Sequence, residues 1–125
     1  MTLQEALDRG DTMRPNMIPR QEKIAWLSEV EGLLHREIIL AHEHDEELDT
    51  FDGYDVDTDE GQVLLAPFPY DDLYPLWLLT KIDMMNMELE KYNNDRTVFN
   101  NAWGVFQDAW RRGHMPIQKS RELRI

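Results

Sequence analysis

The side chains best suited to chemistry are concentrated between residues 42 and 60. His42-Glu43-His44-Asp45-Glu46-Glu47 contains the ligand types that bind zinc and other transition metals. Their spacing argues against such a site. The helical metalloprotease motif sets its two histidines four residues apart, whereas His42 and His44 are two apart and cannot share a helix face. The expectation is a solvated helix end. Asp55-Val56-Asp57-Thr58-Asp59 has the opening of a calcium loop. An EF-hand then needs glycine at the sixth position and a bidentate acid at the twelfth. Glu60 and Ala66 stand there instead, with Gly61 at the seventh, so only weak cation binding is compatible with these residues. Ser28 and Ser120 are the only serines, and neither sits in a glycine turn. His35, His42, His44 and His114 have no triad partner nearby in sequence. There is no nucleophile elbow, P-loop or dinucleotide-binding glycine pattern. Carboxylates are abundant, but no pair is singled out for acid–base work. The expectation is a protein that is not an enzyme and holds no metal or cofactor.

Four helical stretches must position these residues, giving an all-α small helical bundle with a long acidic loop between helices 2 and 3. Thr2 and Glu5 form a capping box that opens the first helix, and Leu3, Ala6, Leu7 and Met13 give it an apolar stripe. Pro15 ends it. Pro19 opens the second helix, which is expected to run to about Glu43. Ile24, Leu27, Leu34, Ile38 and Ala41 follow helical spacing, and Trp26, Val30, Leu33 and Leu40 form a second apolar face. A helix apolar on two sides is either a central core helix or one shared with a partner. The core role is favoured, and those four residues are the candidate interface.

From His44 to Pro69 the helical period is lost. A loop this long within a compact domain is usually functional or disordered. Val63-Leu64-Leu65 reads as a short strand or an apolar anchor. The third helix begins near Tyr70 or Asp71, with Pro75 in its first turn. Leu78, Ile82, Met85, Leu89 and Tyr92 recur at spacings of 4, 3, 4 and 3, and the beat continues through Phe99, Trp103, Phe106 and Trp110. Asn93-Asn94 predicts a turn or kink there. Met84, Met85 and Met87 are expected to fill core gaps, although methionine also suits adaptable interfaces. The tryptophans of the aromatic stripe suit a core, or an interface anchor. Gly113 is a natural stop, with Pro116 just past it. Residues 1–113 therefore read as a helical domain and 114–125 as an extended arm bearing Lys119, Arg121, Leu123, Arg124 and Ile125.

The chain has 125 residues and a net charge of −12, with no cysteine. Its length fits one domain, able to bury roughly two-thirds of its unfolded surface. The missing thiols exclude disulfides and thiolate metal sites, and fit a reducing compartment or an intracellular assembly. No signal peptide is visible at the N-terminus. The run from Leu73 to Ile82 is too short to span a bilayer. Residues 43–60 hold ten acidic side chains and no lysine or arginine, while the rest carries 15 acids against 13 bases. A near-neutral domain with one acidic segment is ill suited to gripping nucleic acid, which needs a basic surface.

Several segments in order carry a resemblance: Arg14-Pro15-Asn16, Lys23-Ile24-Ala25-Trp26-Leu27-Ser28, Ala66-Pro67-Phe68-Pro69-Tyr70-Asp71-Asp72-Leu73-Tyr74, Lys91-Tyr92-Asn93-Asn94, Phe99-Asn100 and His114-Met115-Pro116. Together they resemble the head–tail connector, or adaptor, proteins of tailed phages and prophages, over nearly the whole chain. The resemblance implies a helical protomer that forms a ring, commonly of twelve, beneath the portal. The ring joins portal to tail-completion proteins and lets DNA pass as cargo. It also implies a place in the virion, and in the host cytoplasm during assembly. The family has no catalytic residues to carry over. On this basis Asp52, Asp55, Asp57, Asp59 and Glu60 are candidates to face the channel, where negative charge repels DNA phosphates. The basic-apolar arm is a candidate for docking on the portal. Competing classes are a DNA-mimic inhibitor, a small acidic helical regulator with one protein partner, and an enzyme or metal protein using the His-acid segment.

Overall fold

The computed structural model of the chain describes residues 1–117. It is all-α, as expected: α1 (Leu3–Met13), α2 (Arg20–Leu34), α3 (Leu73–Met85) and α4 (Leu89–Gly113). Among the described residues there is no strand, only the isolated bridges Thr2–Val63 and His42–Pro116. The capping box forms as the sequence predicts. Thr2 Oγ1 accepts from the Glu5 N–H at 3.2 Å, and Glu5 Oε1 accepts from the Thr2 N–H at 3.3 Å. Two further N–H groups at this helix start find partners in the long loop. Leu3 donates to the Gln62 carbonyl and Gln4 to that of Glu60, at 2.8 and 3.1 Å. The loop's return is thus sealed onto the first turn of α1.

The central helix is α3, not α2. Leu73, Tyr74, Pro75, Leu78, Leu79 and Ile82 are buried around nearly its whole circumference, and α1, α2 and α4 all pack on it. Helix α1 runs parallel to it. Met1 lies against Asp71, Gly10 against Leu78 and Arg14 against Asp83. The approach at Gly10 is close, since a Cβ there would meet Leu78 Cδ1 at 2.9 Å. Helix α4 returns antiparallel, with Trp77 against Phe99 and Tyr70 against Phe106. Phe99 and Phe106 are buried, and Trp103 and Trp110 are partly covered, so the aromatic stripe is mainly core.

Helix α2 stops being α-helical at Leu34. A single π-helical turn, His35–Ile39, follows, in which the Leu40 N–H donates to the His35 carbonyl at 2.9 Å. Ile38 and Ile39 are both buried within this turn. The helical path therefore ends near Leu40, short of the expected Glu43.

The break between α3 and α4 falls at Asn86–Glu88, not at Asn93-Asn94, which lie within α4 with exposed side chains. Helix α3 closes in a Schellman motif. The Glu88 N–H donates to the Asp83 carbonyl at 2.9 Å and the Met87 N–H to that of Met84 at 3.1 Å. This motif needs a left-handed residue, and Met87 supplies it with φ of 56°. Glycine is the usual occupant, so the sequence gives no warning of the turn. Met84, Met85 and Met87 are exposed at this corner rather than filling the core. Met87 has 82% of its surface free and bears a left-handed penalty of about 1 to 2 kcal/mol. Met87→Gly should therefore stabilise the fold by about 1 kcal/mol in urea unfolding, because the strain goes and little packing is lost. An unchanged or lower midpoint would show that the corner packs in a way its exposure does not suggest.

Candidate interaction site

The acidic loop is a fastened segment. It runs back along α2, held by one contact after another. The His35 imidazole donates from Nε2 to the Leu48 carbonyl at 2.7 Å. Phe51 packs against His35 and Tyr54 and over Gly32. The Tyr54 N–H donates to Ser28 Oγ at 2.9 Å. Gly53, with φ of 91°, lets the chain turn beside that serine. At the centre lies Glu31, fully buried. Its carboxylate accepts from Tyr54 Oη at 2.8 Å, from Tyr74 Oη at 2.5 Å and from the Leu65 N–H at 2.9 Å. Tyr74 Oη in turn accepts from the Ala66 N–H at 2.8 Å. Burial raises the Glu31 pKa against these three donors, and it raises both tyrosines, beside the Glu31 charge. Leu64 is buried as the apolar anchor that the sequence offered as one of two readings.

All ten carboxylates from Glu43 to Glu60 face solvent, including Asp52, Asp55, Asp57, Asp59 and Glu60. At the tip they organise the backbone. Asp55 Oδ1 accepts from the Asp57 N–H and Asp59 Oδ1 from the Gly61 N–H, as Asx turns do. No group of three or more His, Asp or Glu side chains is arranged to hold a metal ion among the described residues.

The four histidines share a different use, which the sequence reading missed. Each faces a backbone carbonyl: His35 that of Leu48, His42 that of Ile38, His44 that of His42, and His114 that of Trp110. His42 is buried at the end of the π turn and satisfies an orphan helix carbonyl, so it is not part of a solvated helix end. His44 also faces Asp49 Oδ1 at 2.9 Å, and the His42 carbonyl and Asp49 together raise its pKa. The only available signal was position, since histidine near a helix end can bond the last carbonyls.

The candidate interface residues separate. Trp26 and Val30 are 8% and 0% exposed, because α3 covers that face and the Trp77 indole donates to the Trp26 carbonyl at 2.8 Å. They belong to the core. Leu33 and Leu40 remain open to solvent at 39% and 37%. Leu33 lines one end of a groove between α3, α4 and α2. Its two hollows, about 250 and 170 Å³, share Trp77, Phe99 and Asn100. The larger hollow adds Lys81, Met84, Tyr92 and Arg96, hence two cations and no acid.

At about 100° per residue, the positions that hold the loop (Ser28, Glu31, Gly32 and, just past the end of α2, His35) lie roughly 150° around the axis from those beside the groove (Trp26, Glu29, Leu33). Loop and groove therefore occupy nearly opposite sides of α2.

The C-terminal segment begins as an attached strip. The Glu43 N–H donates to the Met115 carbonyl at 2.7 Å and the Ile117 N–H to that of Ala41 at 3.0 Å. Lys119, Arg121, Leu123, Arg124 and Ile125 lie outside the described residues.

A second, partly buried cluster ties the end of α1 to α3 and α4. The Arg14 guanidinium donates to Asp83 Oδ1 and, at 3.3 Å, to Asp95 Oδ2. Asp83 Oδ2 is buried with no donor. Burial and the neighbouring Asp83 carboxylate raise the Asp95 pKa to about 6, although Arg14 pulls it down. Nothing nucleophilic accompanies this trio, and it reads as a clasp.

Compared with protein-family models, curated proteins and solved structures, the chain matches none.

Two measurements probe these clusters. Tyr74→Phe leaves the Ala66 N–H and one Glu31 oxygen unpaired, at a cost of about 1 to 3 kcal/mol. Amide exchange should quicken across residues 52–66 more than in α4; uniform quickening would mean that the loop is not held through this hydroxyl. Asp95 binds its proton more tightly folded than unfolded. The stability it contributes is present below pH 3.8 and is lost as pH rises through about 6. Asp95→Asn should therefore flatten the urea midpoint between pH 4 and 7 relative to the parent, and parallel curves would contradict the assignment.

Proposed function

We propose that this chain is a virion structural protein, a head–tail connector or adaptor that assembles as a ring between portal and tail-completion proteins and lets DNA pass. One observation carries the proposal: two unlike surfaces, a fastened acidic loop and an aromatic groove with two cations, lie on nearly opposite sides of α2. A ring of identical subunits needs a heterologous contact, in which two different patches of each copy meet. The resemblance adds the place in the virion and a ring commonly of twelve. It is compatible with a monomer in isolation that assembles only on the portal. In this role the protein acts without catalysis, metal or cofactor.

The acidic loop supports the passage of DNA. Carboxylates on a backbone held by Glu31 keep their positions, and fixed negative charge repels phosphate. The basic-apolar arm, which starts from the strip beside Ala41 and Glu43, supplies a docking element for the portal. A second role, as an acidic regulator or DNA mimic, draws on the same ten exposed carboxylates. Against it, the charge is confined to one segment.

The test is to mix the protein with a portal ring and image the product by electron microscopy. A ring of added density beneath the portal is expected. Truncation after Ile117, which spares the strip at residues 115–117, should abolish that density and leave the fold intact. Absence of any complex at micromolar concentrations would overturn the connector role. Competition with DNA for a nuclease or repressor would instead establish the mimic.

A further inference from the structure

The groove has a chemistry at odds with the rest of the molecule. In a chain of net charge −12, its larger hollow is walled by Trp77, Tyr92, Phe99 and Met84, with Lys81 and Arg96 at its rim and no carboxylate in the lining. Lys81 Nζ sits 4.9 Å from the centre of the Trp77 ring, and its carboxylate partner Glu29, at 3.2 Å, is itself half exposed. Arg96 pairs with no carboxylate among the described residues and reaches only Tyr92 Oη, at 3.4 Å. An apolar floor with a free guanidinium suits a ligand that presents an apolar side chain between acids.

The chain itself contains such a segment. At the loop tip Val56 is 58% exposed and stands between Asp55 and Asp57, both exposed. The tip is already shaped, because Asp55 Oδ1 accepts from the Asp57 N–H at 2.8 Å and Thr58 Oγ1 from the Asp55 N–H at 2.9 Å. Docking it therefore costs less ordering than docking a loose loop would. The tip leaves from the Ser28 side of α2 and the groove opens on the Trp26 side, so the two do not meet within one copy.

We infer that the Asp55-Val56-Asp57 tip of one copy docks in the α3–α4 groove of the next, with Val56 against the aromatic floor and the two carboxylates facing Lys81 and Arg96. The contact is head-to-tail, so repetition gives a ring where the rotation closes and a filament where it does not. The inference rests on the assembly reading above and names its interface. It assigns Asp55 and Asp57 to the neighbouring subunit, leaving Asp52, Asp59 and Glu60 free to line a channel.

The absence of cysteine in the sequence allows a direct test. Val56→Cys and Asn100→Cys are made as separate single variants, mixed at high concentration and oxidised. Disulfide dimers should form roughly tenfold faster than in a mixture of Val56→Cys with Asp8→Cys, an exposed position on α1, because docking raises the effective concentration of the pair. Arg96→Glu on the Asn100→Cys copy should remove the advantage, and Asp55→Arg with Asp57→Arg on the other copy should restore part of it. Trapping no faster than the control, or Val56→Cys trapping itself as readily, would overturn the proposal. A monomeric double variant that closes an internal bridge would overturn it too. Trapping without a complex on the portal ring would keep this contact and reject the connector. A portal complex without trapping would do the reverse.

Discussion

Glu31 is buried on α2 with no lysine or arginine paired to it among the described residues; three hydrogen bonds hold its carboxylate, and the N-terminal ammonium adds a smaller attraction. Oε2 is shared by Tyr54 and Leu65, whereas Oε1 has Tyr74 alone, so losing the Tyr74 hydroxyl leaves a buried oxygen with no donor where it cannot be hydrated. The three donors come from different places: Tyr54 from the far limb of the loop, Leu65 from its return, and Tyr74 from the central helix. One carboxylate thus fixes where a loop of about thirty residues leaves α2, where it comes back and how α3 sits beneath both. The seal of Glu60 and Gln62 on α1 follows from that placement. So does the outward orientation of ten acidic side chains, since the loop's inward positions are taken by Leu48, Phe51, Tyr54 and Leu64.

Much of this architecture was legible in the residues. The helix class, the Thr2–Glu5 cap, the proline boundaries and the Gly113 stop are local signals, and each is decided by the few residues around it. What was not legible depends on partners distant in sequence. Asn93-Asn94 reads as a break by propensity, yet the aromatic stripe through Phe99 and Phe106 draws that stretch along α3 as one helix, and the chain turns instead at a strained Met87. Trp26 and Val30 read as a second face because nothing local shows that α3 covers it. Glu31 reads as one acid among twenty-five. Only the fold reveals that it faces inward, and only the meeting of α3 with α4 creates a groove out of Trp77, Arg96 and Phe99.

Charge sets a boundary condition on any assembly of this chain. Copies of net charge −12 repel one another at a distance, and that repulsion is screened beyond roughly 8 Å at physiological ionic strength. A contact between copies must therefore place cations opposite the acids at close range, where screening is weak. Lys81 and Arg96 are positioned for this, on the side of α2 away from the loop. The same arithmetic makes such a contact sensitive to salt in both directions. Low ionic strength strengthens the local pairing and the general repulsion together, so affinity need not follow ionic strength in one direction only.

The π-helical turn after Leu34 has a consequence for the history of the chain. It widens the last turn of the α2 path, because turn residues, not α-helix, follow it from Leu40. Arg36 is exposed, and its removal would narrow this turn while keeping His42 four residues from the Ile38 carbonyl it faces. Among the described residues it is the one π turn, and so a position where length variation among related chains should collect.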